Sequence, residues 1–207
     1  MGNKENTARN DTGCLVCGSK LIYSKNMPIT AKCVYCGKKE TTNVICRKGH
    51  YVCDSCHSKD ILKSVESLCV NSKLSDPMEL LLEVFKLPGL KMHGPEYHSI
   101  VPAVLVTAHN NCVGIRDDML IKEAIRRGSD IKGGFCGSHG ACGAGLGVGI
   151  AFSIAHRVTP YSKKDRGDAN LMTSLALLEI SRMGGPRCCK RDCALAIETA
   201  KKNFEAF

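Results

Sequence analysis

The sequence contains no tryptophan, and aromatic residues make up only 5% of its 207 residues. This scarcity argues against a nucleic-acid surface built from aromatic rings that stack on bases. The first ten residues, MGNKENTARN, have no apolar core, so we expect no signal peptide. The longest apolar run is short and rich in glycine, which argues against a membrane partner or a membrane-spanning helix. The protein is therefore expected to be cytoplasmic.

Cysteine and basic residues are present in excess, with 14 cysteines and a net charge of +9. Reducing compartments disfavour disulfides, so clustered cysteines in a cytoplasmic chain usually bind metal or perform redox chemistry. Residues 1–75 carry twelve Lys and Arg against six Asp and Glu, which leaves +6 in that segment. Thiolate ligands would reduce this figure to about +3. A nucleic-acid partner stays open on these grounds but is not favoured.

Eight candidate metal ligands lie in residues 14–57 at spacings typical of zinc sites. Two C-x-x-C-G units, CLVCG and CVYCG, are followed by CRKGHYVCDSCH. Two intervening residues and a small residue afterwards let backbone amides donate to the thiolates while both sulfurs reach one ion. We predict two structural Zn²⁺ ions with these ligands: Cys14, Cys17, Cys33, Cys36, Cys46, His50, Cys53 and Cys56.

The order of these ligands resembles the treble-clef and cross-brace (RING-like) zinc folds. The resemblance implies a crossed arrangement with two sets: Cys33, Cys36, Cys53 and Cys56 in one site, and Cys14, Cys17, Cys46 and His50 in the other. A sequential arrangement stays open, in which the first four cysteines share one ion and the last four ligands share the second. His57 is an alternative to His50.

After residue 75 the hydrophobic pattern becomes helical. Asp76 and Pro77 form an N-cap followed by proline at the first helical position. The amphipathic stretch RDDMLIKEAIRRG is expected to end with Gly128 as its C-cap. The predicted fold is mainly α, a helical bundle preceded by a small α+β zinc module. The predicted domains are a disordered N-terminus (1–12), a zinc-binding module with two sites (13–72) and a cysteine-rich helical domain (75–207).

The segment GGFCGSHGACGAGLGVGIAFSIAH is predicted to be a loop followed by a helix. Small residues recur every four positions in that helix, which places them on two adjacent faces. Each glycine costs about 1 kcal/mol relative to alanine inside a helix. Several glycines in one helix therefore predict close packing against neighbouring helices. The two faces are Gly143, Gly147 and Ala151, and Gly145, Gly149 and Ser153.

Six further thiols are candidate redox residues. Two of them immediately precede this glycine-rich helix, whose N-terminus would stabilise an anion such as a thiolate or an iron–sulfur cluster. The others lie near the ends of predicted helices and can meet the first two if the helices form a bundle. The set is Cys112, Cys136, Cys142, Cys188, Cys189 and Cys193. An interpretation in which all six are merely structural also stays open.

The layout Cys112 … Cys142-Gly143-Ala144-x-x-Gly147 … Cys188 … Cys193 resembles the redox-active proteins called the C-GCAxxG-C-C family, over roughly residues 105–205. Those proteins are helical, cysteine-rich, mostly from anaerobes, and expected to hold an iron–sulfur cluster. The resemblance implies a [4Fe–4S] cluster held by Cys112, Cys142, Cys188 or Cys189, and Cys193. This chain departs from the pattern at Cys136, His139 and Cys189, and in its zinc module.

The whole chain also resembles uncharacterised domains of anaerobes that occur alone or attached to radical-SAM proteins. That resemblance implies a protein partner, a redox or radical-SAM enzyme, and a role in electron or sulfur transfer. Two other hypotheses stay open. One is a thiol-dependent enzyme in which Cys136 or Cys142 is a nucleophile activated by His139. The other is a zinc-dependent adaptor that binds protein or nucleic acid. Whether the protein is an enzyme is left open by the sequence.

Overall fold

A computed structural model describes residues 13–24 and 27–204. The predicted disordered N-terminus, residues 1–12, lies outside the described residues. The chain divides into two compact units, residues 1–56 and residues 57–207. The mainly helical prediction is confirmed. Within the described residues, no helix is both long enough and apolar enough to cross a membrane.

The first unit contains two short, two-stranded antiparallel sheets. Strand β1 (Leu21–Tyr23) pairs with β4 (Val44–Cys46), and β2 (Ile29–Lys32) pairs with β3 (Lys39–Thr42). In the described part of this unit the buried apolar side chains are Ala31 and four cysteines: Cys14, Cys33, Cys46 and Cys53. Larger apolar side chains are exposed instead, so the sheets have almost no aliphatic core of their own.

The second unit is built from helices. Its first helix, α1, begins three residues before the unit does, at Asp54. The helices of the described chain are α1 (Asp54–Asn71), α2 (Pro77–Phe85), α3 (Glu96–Val113), α4 (Asp118–Ser129), α5 (Phe135–Ser138), α6 (Gly143–Ala155), α7 (Lys164–Met183) and α8 (Cys189–Asn203). As predicted, the Asp76 carboxylate caps α2 by accepting the backbone N–H groups of Met78 and Glu79 at 2.7 and 3.0 Å.

Helix α3 forms the centre of the helical unit. Every residue from Glu96 to Ala108 is buried, which is typical of a helix that is surrounded on all sides. It packs against α2, α4, α6 and α8. The helix continues through Pro102, which lies inside it.

The expected role of Gly128 as a helix C-cap is wrong. Helix α4 continues to Ser129, and Gly128 is buried inside it. A Cβ atom at this position would lie 2.5 Å from the carbonyl oxygen of His98 and 2.5 Å from the Cα of Ser99. The glycine is therefore required because the backbones of α3 and α4 come into direct contact, a tertiary reason that the local sequence does not display.

The two small-residue faces of α6 are confirmed as close-packing surfaces. A Cβ at Gly147 would lie 2.8 Å from Pro102 of α3, and one at Gly145 would lie 2.6 Å from Leu177 of α7. Helix α6 is therefore held closely between α3 and α7. Its Gly143 contacts His98 and its Gly147 contacts the next turn of α3, so α6 and α3 run in the same direction.

Candidate metal centres

The first unit gathers a Cys₃His set of donors. Its members are Cys14, Cys17, Cys46 and His50, whose ligand atoms all lie within 4.8 Å of one another. The sulfurs of Cys17 and Cys46 are 3.6 Å apart, and His50 Nδ1 lies 3.3 Å from Cys17 Sγ. Tetrahedral bonds of about 2.3 Å place two sulfurs about 3.8 Å apart, so this set has the size of a single-ion site.

A second set in the same unit has four thiols, Cys33, Cys36, Cys53 and Cys56, again within 4.8 Å of one another. The sulfurs of Cys36 and Cys53 are 3.6 Å apart. One cysteine pair follows β2, and the other pair lies at the start of α1. Of the two arrangements that the sequence left open, the structure has the crossed one. Each of its two ligand sets can hold a metal ion.

The local backbone explains why these cysteines converge. After each of the first two C-x-x-C pairs, a glycine with positive φ turns the chain: 69° at Gly18 and 74° at Gly37. Their N–H groups donate to the carbonyl oxygens of Cys14 and Cys33. Such tight turns direct both sulfurs of a pair to one point. Backbone N–H groups also donate to the sulfurs, as from Cys53 to Cys33 Sγ at 3.4 Å.

The electrostatics of the four-thiol set favour a bound cation. Burial opposes ionisation of Cys33, yet the backbone N–H groups of Cys53, Cys36 and Tyr35 lower its pKa to about 6. In contrast, the neighbouring thiols of Cys53 and Cys36 raise the pKa of Cys56 to about 12. Four thiolates cannot ionise together at this distance without a positive charge between them. A divalent cation removes that conflict, because it stabilises all four thiolates.

His57, the alternative to His50, belongs to a different environment. Its Nδ1 lies 3.4 Å from the buried carboxylate of Glu96, whereas His50 is a member of the Cys₃His set. Ser58 Oγ lies 3.5 Å from the same carboxylate. His57 therefore makes a polar contact inside the helical unit.

Five of the six predicted redox thiols converge in the helical unit: Cys136, Cys142, Cys188, Cys189 and Cys193. Cys142 is the N-cap of α6, and Cys188 and Cys189 start α8, which packs against α6. Burial raises the pKa of Cys193 well above its usual value, and the charges of Cys189, Cys142 and Cys188 raise it further. The charge of Cys136 acts in the same way on Cys142. These thiols, on α5 and at the starts of α6 and α8, are therefore electrostatic neighbours.

Cys112 is not part of this group, which corrects the ligand set implied by the resemblance. It lies in the last turn of α3, where it is exposed and its Sγ contacts the carbonyl oxygen of Ser75. Cys193 instead contacts Tyr97 in the first turn of α3. Fifteen helical residues separate Tyr97 from Cys112, a distance of about 22 Å along the axis. One cluster cannot bind at both ends of this helix.

The predicted catalytic pair lies on the short helix α5 and the residue after it. The ring of His139 stacks on Phe135, with centroids 4.0 Å apart, and its Nδ1 lies 2.7 Å from Ser138 Oγ. These contacts hold the imidazole against its own segment. The catalytic roles of Cys136 and His139 stay a prediction.

Burial makes Cys142 a poor candidate for an activated nucleophile. It raises the pKa of this thiol to about 11, and the charge of Asp192 acts in the same direction. The backbone amides of Ala144 and Gly145 at the start of α6 oppose this effect without cancelling it. A nucleophilic thiol needs a lowered pKa, so Cys142 is protonated at neutral pH unless a cation binds it.

Sequence reasoning missed Asp192, which lies among the five thiols. Its carboxylate is buried, with Oδ2 3.8 Å from Cys142 Sγ and Oδ1 3.1 Å from the guanidinium of Arg191. A usable signal was present, because Asp192 lies three positions after Cys189 and directly before Cys193, and residues three apart are neighbours if the segment is helical. His93 was missed too. Burial lowers its pKa, and it lies near Arg187 and Asp192.

A family model described as "Family of unknown function (DUF5714)" matches residues 65–207. The matched range is more than two thirds of the chain and contains the five converging thiols, but it begins after both ligand sets of the first unit. A search of the curated proteins and a search of the solved structures each return no match. The comparisons assign no activity to the chain, so its function has to be inferred from its sites.

Proposed function

We propose that this chain, which belongs to the DUF5714 family, is a metal-binding redox protein that serves a partner enzyme. Its first unit holds two structural Zn²⁺ ions, and its helical unit holds an iron–sulfur cluster for electron or sulfur transfer. The partner, a redox or radical-SAM enzyme, is proposed from the resemblance of the chain to proteins of anaerobes.

Zinc is supported in the first unit by the donor sets and by their closure. Thiolate and imidazole ligands suit Zn²⁺, and four protein ligands leave no open position for catalysis. The unit also has almost no aliphatic core, since its buried apolar side chains in the described residues are Ala31 and ligand cysteines. Structural zinc would supply the stability that hydrophobic burial does not supply there.

The observation that carries the redox proposal is the convergence of five thiols on α5 and at the starts of α6 and α8. Helix N-termini stabilise negative charge, and an iron–sulfur cluster with thiolate ligands is anionic. The thiols are half-buried or buried, which limits solvent access to a bound group. The residues of the chain would bind the cluster, orient it and exclude water, and the cluster would supply one-electron chemistry.

The thiol-dependent enzyme is less well supported, because burial raises the pKa of Cys142 and α5 holds His139 against Phe135. An adaptor built only on the zinc module would leave five clustered thiols in the helical unit without a role. We therefore favour the redox protein over both alternatives.

The proposal is tested by purifying the full chain under anaerobic conditions and measuring zinc, iron and acid-labile sulfide. We expect about two zinc and about four iron per chain. A protein with zinc and no iron, after anaerobic reconstitution with iron and sulfide, would contradict the redox proposal while leaving the zinc module intact. Alkylation of a single acidic thiol in that iron-free protein would then favour the enzyme.

A further inference from the structure

The fold narrows the five converging thiols to four cluster ligands. Resting on the proposed function above, we propose that these four are Cys136, Cys142, Cys189 and Cys193. Two other thiols that the sequence pattern offered, Cys112 and Cys188, are not ligands. The group that the four ligands bind is a polynuclear cluster rather than a single metal ion.

The first turn of α3 anchors two of the four ligands. The Sγ of Cys193 lies 3.7 Å from the carbonyl oxygen of Tyr97, and this thiol is completely buried. The next residue, His98, has its ring against Gly143, the residue that directly follows Cys142. Cys142 and Cys193 therefore lie against adjacent residues, His98 and Tyr97, of the buried first turn of α3.

The same histidine also anchors the segment that carries the third ligand. His98 Nδ1 lies 2.9 Å from the carbonyl oxygen of Ile131, at the start of the chain that leads to Cys136. Both ends of the segment from Ile131 to Gly143 are thus held by one side chain. Cys136 lies between these two anchors, on α5.

Helical geometry selects Cys189 over its neighbour Cys188. Cys189 and Cys193 are four positions apart on α8, so they lie on one face, about 40° apart around the axis. Cys188 is the N-cap and lies five positions before Cys193, which turns it about 140° away from that face.

The four thiols form a circuit that spans α5 and the starts of α6 and α8. The Sγ of Cys142, the N-cap of α6, lies 3.8 Å from Oδ2 of Asp192, the residue directly before Cys193 on α8. Cys189 lies about one turn before Cys193 on the same helix. Cys136 lies on α5, in the segment that leads directly to Cys142.

The spacing of this circuit distinguishes a cluster from a single ion. Within residues 13–24 and 27–204, three or more His, Cys, Asp or Glu donors come within 4.8 Å of one another only in the two sets of the first unit. No three of the helical-unit thiols therefore come as close together as the sulfurs, about 3.8 Å apart, that one tetrahedral ion requires. A polynuclear cluster places its thiolates on different metal atoms and therefore suits a wider circuit.

Asp192 is close to the circuit but is not counted as a ligand. Its two carboxylate oxygens face Cys142 on one side and Arg191 on the other. The Arg191 guanidinium also donates to the carbonyl oxygen of Gly184 at 3.0 Å, which fixes the pair to the turn before α8. The carboxylate is therefore already satisfied by a cation.

Single alanine substitutions in the full chain, purified anaerobically and reconstituted with iron and sulfide, test the assignment. The ligand variants are Cys136→Ala, Cys142→Ala, Cys189→Ala and Cys193→Ala, and the matched controls are Cys188→Ala and Cys112→Ala. Iron, sulfide and the electron paramagnetic resonance spectrum of the dithionite-reduced protein report the cluster. Zinc content and the melting curve report whether each variant is folded.

We expect every ligand variant to lose the four-iron cluster and both controls to keep the wild-type iron content and spectrum. Cys136→Ala is the most informative ligand variant, because this half-buried side chain can be removed with little effect on folding. Iron loss in Cys188→Ala or Cys112→Ala, or a wild-type spectrum in Cys136→Ala or Cys189→Ala, would overturn the ligand assignment but not the proposed function. Wild-type protein without iron would overturn the assignment together with the proposed function.

Discussion

The two units of this chain bury opposite kinds of side chain. In the described part of the first unit, four cysteines are buried while larger apolar side chains such as Tyr35 and Met27 are 63% and 74% exposed. In the helical unit, aliphatic residues such as Leu80, Val104 and Ile197 are completely buried. We therefore expect the stability of the first unit to come from a metal bound by its thiols, and that of the second unit from the packing of its helices.

This difference also separates the two kinds of thiol site. In the first unit, tight turns bring eight ligands into two sets of single-ion size. In the helical unit, the thiols lie on α5 and at the starts of α6 and α8, and α6 and α8 contribute side chains to the hydrophobic core. The comparison predicts that the first unit unfolds without bound metal, whereas the helical unit stays folded with or without the cluster proposed for it.

The largest effect is expected for Cys53→Ser, which removes a buried ligand of the four-thiol set. The apparent binding free energy of structural zinc is about 10–16 kcal/mol and is also folding free energy. We expect the variant to release at least one zinc and to lose hydrogen-exchange protection across residues 13–56, while the helices of residues 77–203 keep theirs. Zinc analysis and hydrogen exchange measured by mass spectrometry check both statements.

Val34→Ala is the matched control for that variant. Val34 lies between two ligands of the same set, but its side chain is exposed. We expect it to change stability by no more than about 0.5 kcal/mol. If Cys53→Ser kept both zincs and the full protection of the first unit, the four-thiol set would not be a structural metal site.

Two adjacent leucines on α2 test whether the stability of the helical unit comes from the packing of its helices. Leu81 is completely buried, whereas Leu82 is 52% exposed. Leu81→Ala should lower the free energy of unfolding of the helical unit by about 2–5 kcal/mol through lost burial and a cavity. Leu82→Ala should change it by no more than about 0.5 kcal/mol. Urea denaturation followed by circular dichroism measures both, and zinc content should be unchanged in each.

Equal effects of the two substitutions would mean that α2 does not pack against the core as described. Zinc loss in Leu81→Ala would contradict the separate origin of stability in the two units.

Local features were predicted from the sequence because their causes lie within a few residues. The cap at Asp76 needs only its own carboxylate and the next N–H groups, and the C-x-x-C-G turns need only a glycine with positive φ. The glycine faces of α6 were also predicted, since a fourfold spacing places residues on one face whatever the partner is. The sequence did not indicate that α3 and α7 are the helices that pack against these faces.

The placement of Cys112 and Gly128 could not be predicted, because both depend on the relative directions of helices. Helices α3 and α6 run in the same direction, so the end of α3 that carries Cys112 lies far from the start of α6. An antiparallel pair would have brought Cys112 close to Cys142. Likewise, Gly128 looks like a helix terminus in its own segment and is required only because α3 lies against it.

The smallest effect concerns two glycines whose substitution should change stability in opposite directions. A Cβ at Gly147 would lie 2.8 Å from Pro102 Cδ and 3.0 Å from Val101 Cβ, so Gly147→Ala should cost about 1–3 kcal/mol by overpacking. Gly167, on α7, has nothing within 4 Å of its Cβ position, so Gly167→Ala should gain up to about 1 kcal/mol. Melting temperatures measure the sign of each change in stability directly.

Since α6 carries Cys142 at its start, Gly147→Ala should also lose iron. Gly147→Ala with raised stability and full iron content would show that α6 can move away from α3 without cost, and the close contact would not be what positions Cys142.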